Sequence, residues 1–94
     1  MDRERDIEKY MACRIERLGG VAFKFTSPGN DGVPDRLVIL PGGRILFVEL
    51  KTKGGRLKPI QVWQQERIRR RGVEVRTVWS KAQVDELLEG GDAT

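Results

Sequence analysis

The sequence predicts an α/β fold, a mixed sheet flanked by helices, with elements in the order α-β-β-β-α-β-α. Three observations predict it. Apolar residues recur at helical spacing near the start, where Ile7, Met11, Ile15 and Leu18 share one face. Short alternating or continuous apolar runs follow, separated by glycine and proline. A helix opening at Pro59 then stands between the third and fourth runs, and a crossover helix returns the next strand parallel to its neighbour.

Each element has its own local reason. The first helix covers residues 4–18 and stops at Gly19-Gly20. Val21, Phe23 and Phe25 alternate with Ala22 and Lys24, which predicts the first strand. Residues 26–33 contain Ser-Pro-Gly-Asn-Asp-Gly, a run of turn formers, and are expected as a loop. Residues 35–51 read as a hairpin, Leu37 to Leu40 and Ile45 to Val48, joined by Pro41-Gly42-Gly43. A basic loop from Lys51 to Lys58 leads to Pro59, the first residue of a second helix running to about Arg71, before Gly72. Val73, Val75 and Thr77 mark a fourth strand ending near Trp79. Ser80 with Gln83 forms a capping-box pattern for a last helix carrying Val84, Leu87 and Leu88 and ending at Gly90-Gly91. Residues 1–94 are expected to form one domain, without internal repeats.

Composition excludes several chemistries. The 94 residues include no histidine and one cysteine, Cys13. A histidine base, a histidine-ligated zinc, a Ser-His-Asp triad and an internal disulfide framework are all ruled out. Carboxylates, lysine and a hard cation held by oxygen ligands remain. Apolar residues make up 38% and charged residues 34%. No apolar run approaches the roughly 20 residues of a membrane span, and the first residues lack a secretory pattern. An intracellular, cytoplasmic location is expected, in the host cell if the source is viral. The net charge of +4 points mildly to a polyanionic partner.

The charged residues of the hairpin carry the functional signal. Asp35 follows Pro34, and Glu49-Leu50-Lys51 comes after a run of apolar residues. An unpaired ion buried in such surroundings costs several kcal/mol, so a compensating partner is expected, and a divalent metal ion would supply one. Glu49 and Lys51 point the same way, roughly 7 Å apart, because strand side chains alternate. A three-residue turn pairs Leu40 with Arg44 and, counting back, sets Asp35 opposite Glu49, with Cβ atoms about 4.5–5.5 Å apart. A two-residue turn would send Asp35 to the other face. The bland alternative is a turn-capping Asp35 beside a solvated strand.

Pro34-Asp35 and Glu49-Leu50-Lys51 across a hairpin resemble the signature of the PD-(D/E)XK nuclease superfamily, whose core is restriction-endonuclease-like. The wider string is similar to the VRR-NUC family, the virus-type replication-repair nucleases. It comprises Gly32-Val33-Pro34-Asp35-Arg36, Phe47-Val48-Glu49-Leu50-Lys51, then Gly55-Arg56-Leu57 with Gln61. The resemblance implies a metal-dependent phosphodiesterase acting on DNA. It would give Asp35, Glu49 and the Leu50 backbone carbonyl to Mg²⁺ or Mn²⁺, with Lys51 orienting the attacking water or stabilising phosphate charge. It would place Glu8 on the first helix as a further metal ligand, with Glu4 as competitor, and Gln61 at the start of the second helix. No organic cofactor is implied.

Lys53, Arg56 and Lys58 form a basic arm after the catalytic strand and are expected to contact the DNA backbone. The denser run Arg67, Arg69, Arg70 and Arg71 covers several helix faces, so some of it is ordinary surface. Trp63 and Trp79 are expected as core or interface residues. The expected activity is a structure-selective endonuclease cutting branched DNA, such as a four-way Holliday junction, as a homodimer. Alternatives are a flap or nicking nuclease recruited to a replication or repair complex, and a non-catalytic DNA-binding module on the same fold.

Overall fold

The computed structural model describes residues 2–90. The elements are α1 (Glu4–Arg17), β1 (Val21–Lys24), β2 (Arg36–Leu40), β3 (Arg44–Leu50), α2 (Pro59–Arg69), β4 (Glu74–Val78) and α3 (Lys81–Gly90), in the expected order. The strands lie in the order β1-β2-β3-β4. The first two pairings are antiparallel and β3–β4 is parallel, as a crossover through α2 requires.

Element ends differ from expectation by one or two residues. Phe25, expected within β1, lies just past it, although its N–H still bonds the Asp35 carbonyl at 2.8 Å. α2 stops at Arg69 because the chain turns there: Gly72, at φ +83°, gives its N–H to the Arg69 carbonyl. At the start of α3, Ser80 Oγ accepts the Gln83 N–H, but the Gln83 side chain reaches back to the Trp79 N–H, one residue earlier than a capping box places it. The Gly91 half of the expected final stop lies outside the described residues.

Period-2 alternation divides the sheet into two unlike faces. Val38, Leu40, Leu46, Val48, Leu50 and Val78 point toward α1 and α3, where Ile7, Met11, Ile15, Val84 and Leu87 complete the core. Burying an aliphatic side chain of this kind is worth about 1.5–3 kcal/mol, so this layer supplies most of the folding drive. The opposite face carries Leu37, Phe47, Glu49, Val75 and Thr77, and α2 lies over its β3–β4 side.

The inward contacts of α2 are polar. Gln64 and Gln65 are buried, bonding the Asp31 carbonyl and the Thr77 hydroxyl, while Ile60, Val62 and Trp63 face outward. Trp63 is therefore exposed, and Trp79 is half-buried with its ring N–H on the Gly55 carbonyl, fixing the basic loop. Cys13 is exposed. Among the described residues no helix is long and apolar enough to cross a membrane.

Candidate active site at the fork of the hairpin

The turn decides the site. Pro41-Gly42-Gly43 spans the hairpin, with both glycines at φ +87°, a conformation L side chains rarely adopt. Leu40 pairs with Arg44 and Arg36 with Val48, so the register runs on to oppose Asp35 and Glu49. The two acids share the face covered by α2.

Beyond Arg36 the ladder opens into a fork. The Lys51 N–H bonds the Val78 carbonyl on β4, so by alternation the backbone groups of Leu50 face β2. There the Leu50 N–H donates to Asp35 Oδ2 at 2.9 Å. The register puts Pro34 opposite Leu50, and proline has no N–H to offer the Leu50 carbonyl. A side-chain carboxylate and an oxygen without a ladder partner thus meet where the strands part.

Glu49 is the hub of the polar contacts. Its side chain is 4% exposed, lies 3.8 Å from Lys51 Nζ and accepts a bond from Gln61 Nε2 at 3.2 Å. Gln61 also caps its own helix, since its Oε1 accepts the Lys58 N–H at 2.8 Å. One side chain thus ties the start of α2 to the acid on β3. Burial pushes the Glu49 carboxyl up to about 7, the negative charge of Asp35 pushes the same way, and Lys51 opposes them.

The two helix acids separate. Glu8 Oε2 accepts a bond from Arg36 Nε at 2.7 Å, and Arg36 also holds the Ala22 carbonyl. Arg36 alternates with Asp35, so this pair belongs to the core-side face. Glu4, one turn earlier, adds its negative charge to the field that raises Glu49. The structure therefore brings Asp35, Glu49, Lys51 and Gln61 together, ties Glu8 to Arg36, and leaves Glu4 as the α1 acid acting on Glu49. Lys53, Arg56 and Lys58 are exposed on the loop leaving β3.

Three residues escaped the sequence reading. Arg36 carried a usable signal, since a charged residue alternating with Asp35 on a core-facing strand needs a counter-ion. Gln64 and Gln65 carried none.

The oxygen donors suit a hard divalent cation. Two carboxylates and a carbonyl without a ladder donor converge, and a lysine that cannot ligate stands beside them. Among the described residues no third acidic, histidine or cysteine side chain closes a cage around an ion. Such a site would leave coordination positions for water and substrate, the pattern of an open rather than a structural site.

No family model matches the sequence. One similar protein, named "Putative nuclease p44", from Acyrthosiphon pisum secondary endosymbiont phage 1, is 48% identical over 66 residues, covering 70% of this chain and 71% of that protein. A solved structure described as a VRR_NUC domain superposes with a TM-score of 0.88 at 43% identity, covering 95% of this chain and 97% of that one. On that sequence identity and shared architecture, the chain belongs to the VRR-NUC family.

Proposed function

We propose that the protein is a nuclease that hydrolyses DNA phosphodiester bonds with a divalent ion, Mg²⁺ or Mn²⁺. The observation that carries this reading is the apposition of Asp35 and Glu49, with Lys51 and Gln61 both on Glu49. Asp35, Glu49 and the Leu50 carbonyl would hold the ion, with Glu4 or Glu8 as a further carboxylate. A bound cation lowers the pKa of a water molecule and offsets phosphate charge. Lys51 presents an ammonium to the phosphate or the attacking water. Gln61 and the Leu50 N–H fix the two carboxylates in place. Lys53, Arg56 and Lys58 would follow the DNA backbone on the loop leaving β3.

The preferred substrate is branched DNA, a four-way junction above all, cut by a homodimer whose two sites are related by a two-fold axis. An apolar strip on the outer sheet supports a second copy: Val21, Phe23 and Ile45 are 43%, 54% and 49% exposed on the face beside α2. A nuclease acting on flaps or nicks is the second reading. The aromatic groove next to the site favours it, because such a surface suits an unpaired strand.

Labelled junction, flap, nicked and linear DNA, each incubated with Mg²⁺, Mn²⁺ or chelator, tests the whole. Cleavage is expected with either cation and none with chelator, fastest on the junction. Equal rates on branched and linear duplex would remove the junction preference, and cutting in chelator would remove the metal. Sedimentation of the protein with and without Phe23→Lys tests the dimer.

A further inference from the structure

We infer that the groove between α2 and the 26–33 loop binds a single-stranded segment of DNA next to the cleavage site, an inference that rests on the nuclease reading above. The groove holds about 240 Å³. Its floor is Phe25 and Phe47, whose rings meet edge to face with centroids 5.0 Å apart. Arg67, Ile68 and Arg71 form one wall, and Ser27, Asn30 and Val33 form the other.

Its place follows from the register. Phe25 stands beside Asp35, to whose carbonyl its N–H is bonded, and Phe47 precedes Glu49 by two residues on the same face. The floor therefore begins within about 7 Å, one side-chain repeat, of both carboxylates. Along the wall, Arg67 follows Gln61 by six residues, about 9 Å of helix.

The chemistry of the groove is that of a single-strand site. Aromatic faces stack with any base, and arginines take the phosphates. Both arginines are exposed, and among the described residues neither is paired with a carboxylate. They are also held in place: the Arg67 guanidinium lies 5.2 Å from the Trp63 ring centroid, and Arg71 Nη1 donates to the Arg67 carbonyl at 2.8 Å. Gln64 fastens the loop wall to the helix through the Asp31 carbonyl. Gly32, at φ +85°, permits that approach, since a Cβ there would meet the Ile60 backbone at 3.0 Å. The groove is thus fixed on both sides before any ligand arrives.

The test uses the full chain carrying Glu49→Gln, so that bound DNA stays intact. Fluorescence anisotropy measures binding of a labelled 12-nucleotide oligothymidine and a 12-base-pair duplex over a range of salt. Adding Arg67→Ala with Arg71→Ala is expected to weaken the oligothymidine at least tenfold and to reduce its salt slope by about 1.4, as the loss of two phosphate contacts on a single strand requires. Duplex binding should fall less than threefold. Arg67→Lys with Arg71→Lys should restore most of the slope, which also excludes misfolding as the cause. Phe25→Leu should weaken the oligothymidine about fivefold with the slope unchanged, the mark of lost stacking. Unchanged oligothymidine binding by the alanine pair, or equal weakening of duplex, overturns the groove. Failure of the unsubstituted chain to cut any DNA with Mn²⁺ would overturn the nuclease reading instead, whatever the groove binds.

Discussion

The two faces of the sheet treat charge in opposite ways. On the side of α1 and α3, the ionised groups around the core are matched: Arg36 with Glu8, Arg44 with Glu74, and Arg14 with Asp85. Their carboxyls sit accordingly, with Glu74 held below its ordinary range by Arg44, and Asp85 by Tyr10 and Arg14. On the side of α2, Glu49 is forced up to about 7 by burial and by Asp35. Basic residues there have few partners. Residues 51–71 hold eight of them against Glu66 alone, a net +7 in a chain whose total is +4, which leaves −3 for the remainder. One face holds the fold, and the other carries an excess of positive charge beside an acid raised by burial. An anionic polymer and a cation would satisfy both at once.

Two positions three residues apart on β3 give the largest contrast. Glu49→Gln keeps the shape and a partner for Gln61 but removes the charge. Cleavage is expected to fall about 10³-fold, about 4 kcal/mol of barrier, while the melting temperature at pH 8 holds or rises. Leu46→Ala, fully buried on the other face, should cost about 2–5 kcal/mol of stability. Its activity per folded molecule, measured well below the melting temperature, should stay within a few-fold. Activity lost equally in both variants would mean that the two faces do not divide the work.

Acid titration sharpens the same comparison. The folded carboxyl of Glu49 titrates near 7, above its ordinary value of 4.5. Between those values the native state binds more protons than the unfolded one, so stability falls as pH rises and the loss is complete above about 7. The whole effect is of order 3 kcal/mol. Unfolding free energies measured by urea from pH 4.5 to 8 should show this decline, and Glu49→Gln should flatten it. Saturating Mn²⁺ should stabilise by about 3 kcal/mol at pH 8, for free ion at 100 times its dissociation constant, and by much less at pH 5, where protons compete for the carboxylate. A chain whose stability rises from pH 5 to pH 8 without metal would refute the buried, charge-stressed acid.

Much of this contrast could be read from the chain, for reasons that are local. The turn residues Gly42 and Gly43 dictate the hairpin length, the length dictates the register, and the register opposes Asp35 and Glu49. What could not be read depends on packing across long separations. The partner of Arg36 is set by how α1 lies over β2, 28 residues away in sequence. The buried glutamines of α2 look like surface residues, because their acceptors, the Asp31 carbonyl and the Thr77 hydroxyl, come from elements that meet only in the fold. For the same reason Trp63, expected as a core or interface residue, proves to be outward.

The smallest expected effects decide between the two acids of α1, which both sequence and family likeness leave as rivals. Glu8 and Arg36 are 24% and 14% exposed, so Glu8→Gln weakens a charge-assisted bond at the edge of the core. Allowing for solvent screening, the loss should be about 1 kcal/mol, measured by urea unfolding, with the Glu49 titration unmoved. Glu4 is exposed, and its charge helps to raise Glu49. Glu4→Gln should leave stability at low pH unchanged, shift the Glu49 midpoint down by a few tenths of a pH unit, and weaken Mn²⁺ binding several-fold. If Glu8→Gln instead weakens Mn²⁺ binding while Glu4→Gln does not, α1 must turn Glu8 from Arg36 toward the ion when metal is present. The freed Arg36 guanidinium would then face the fork uncompensated, and the core-side face would lose one of its three matched pairs.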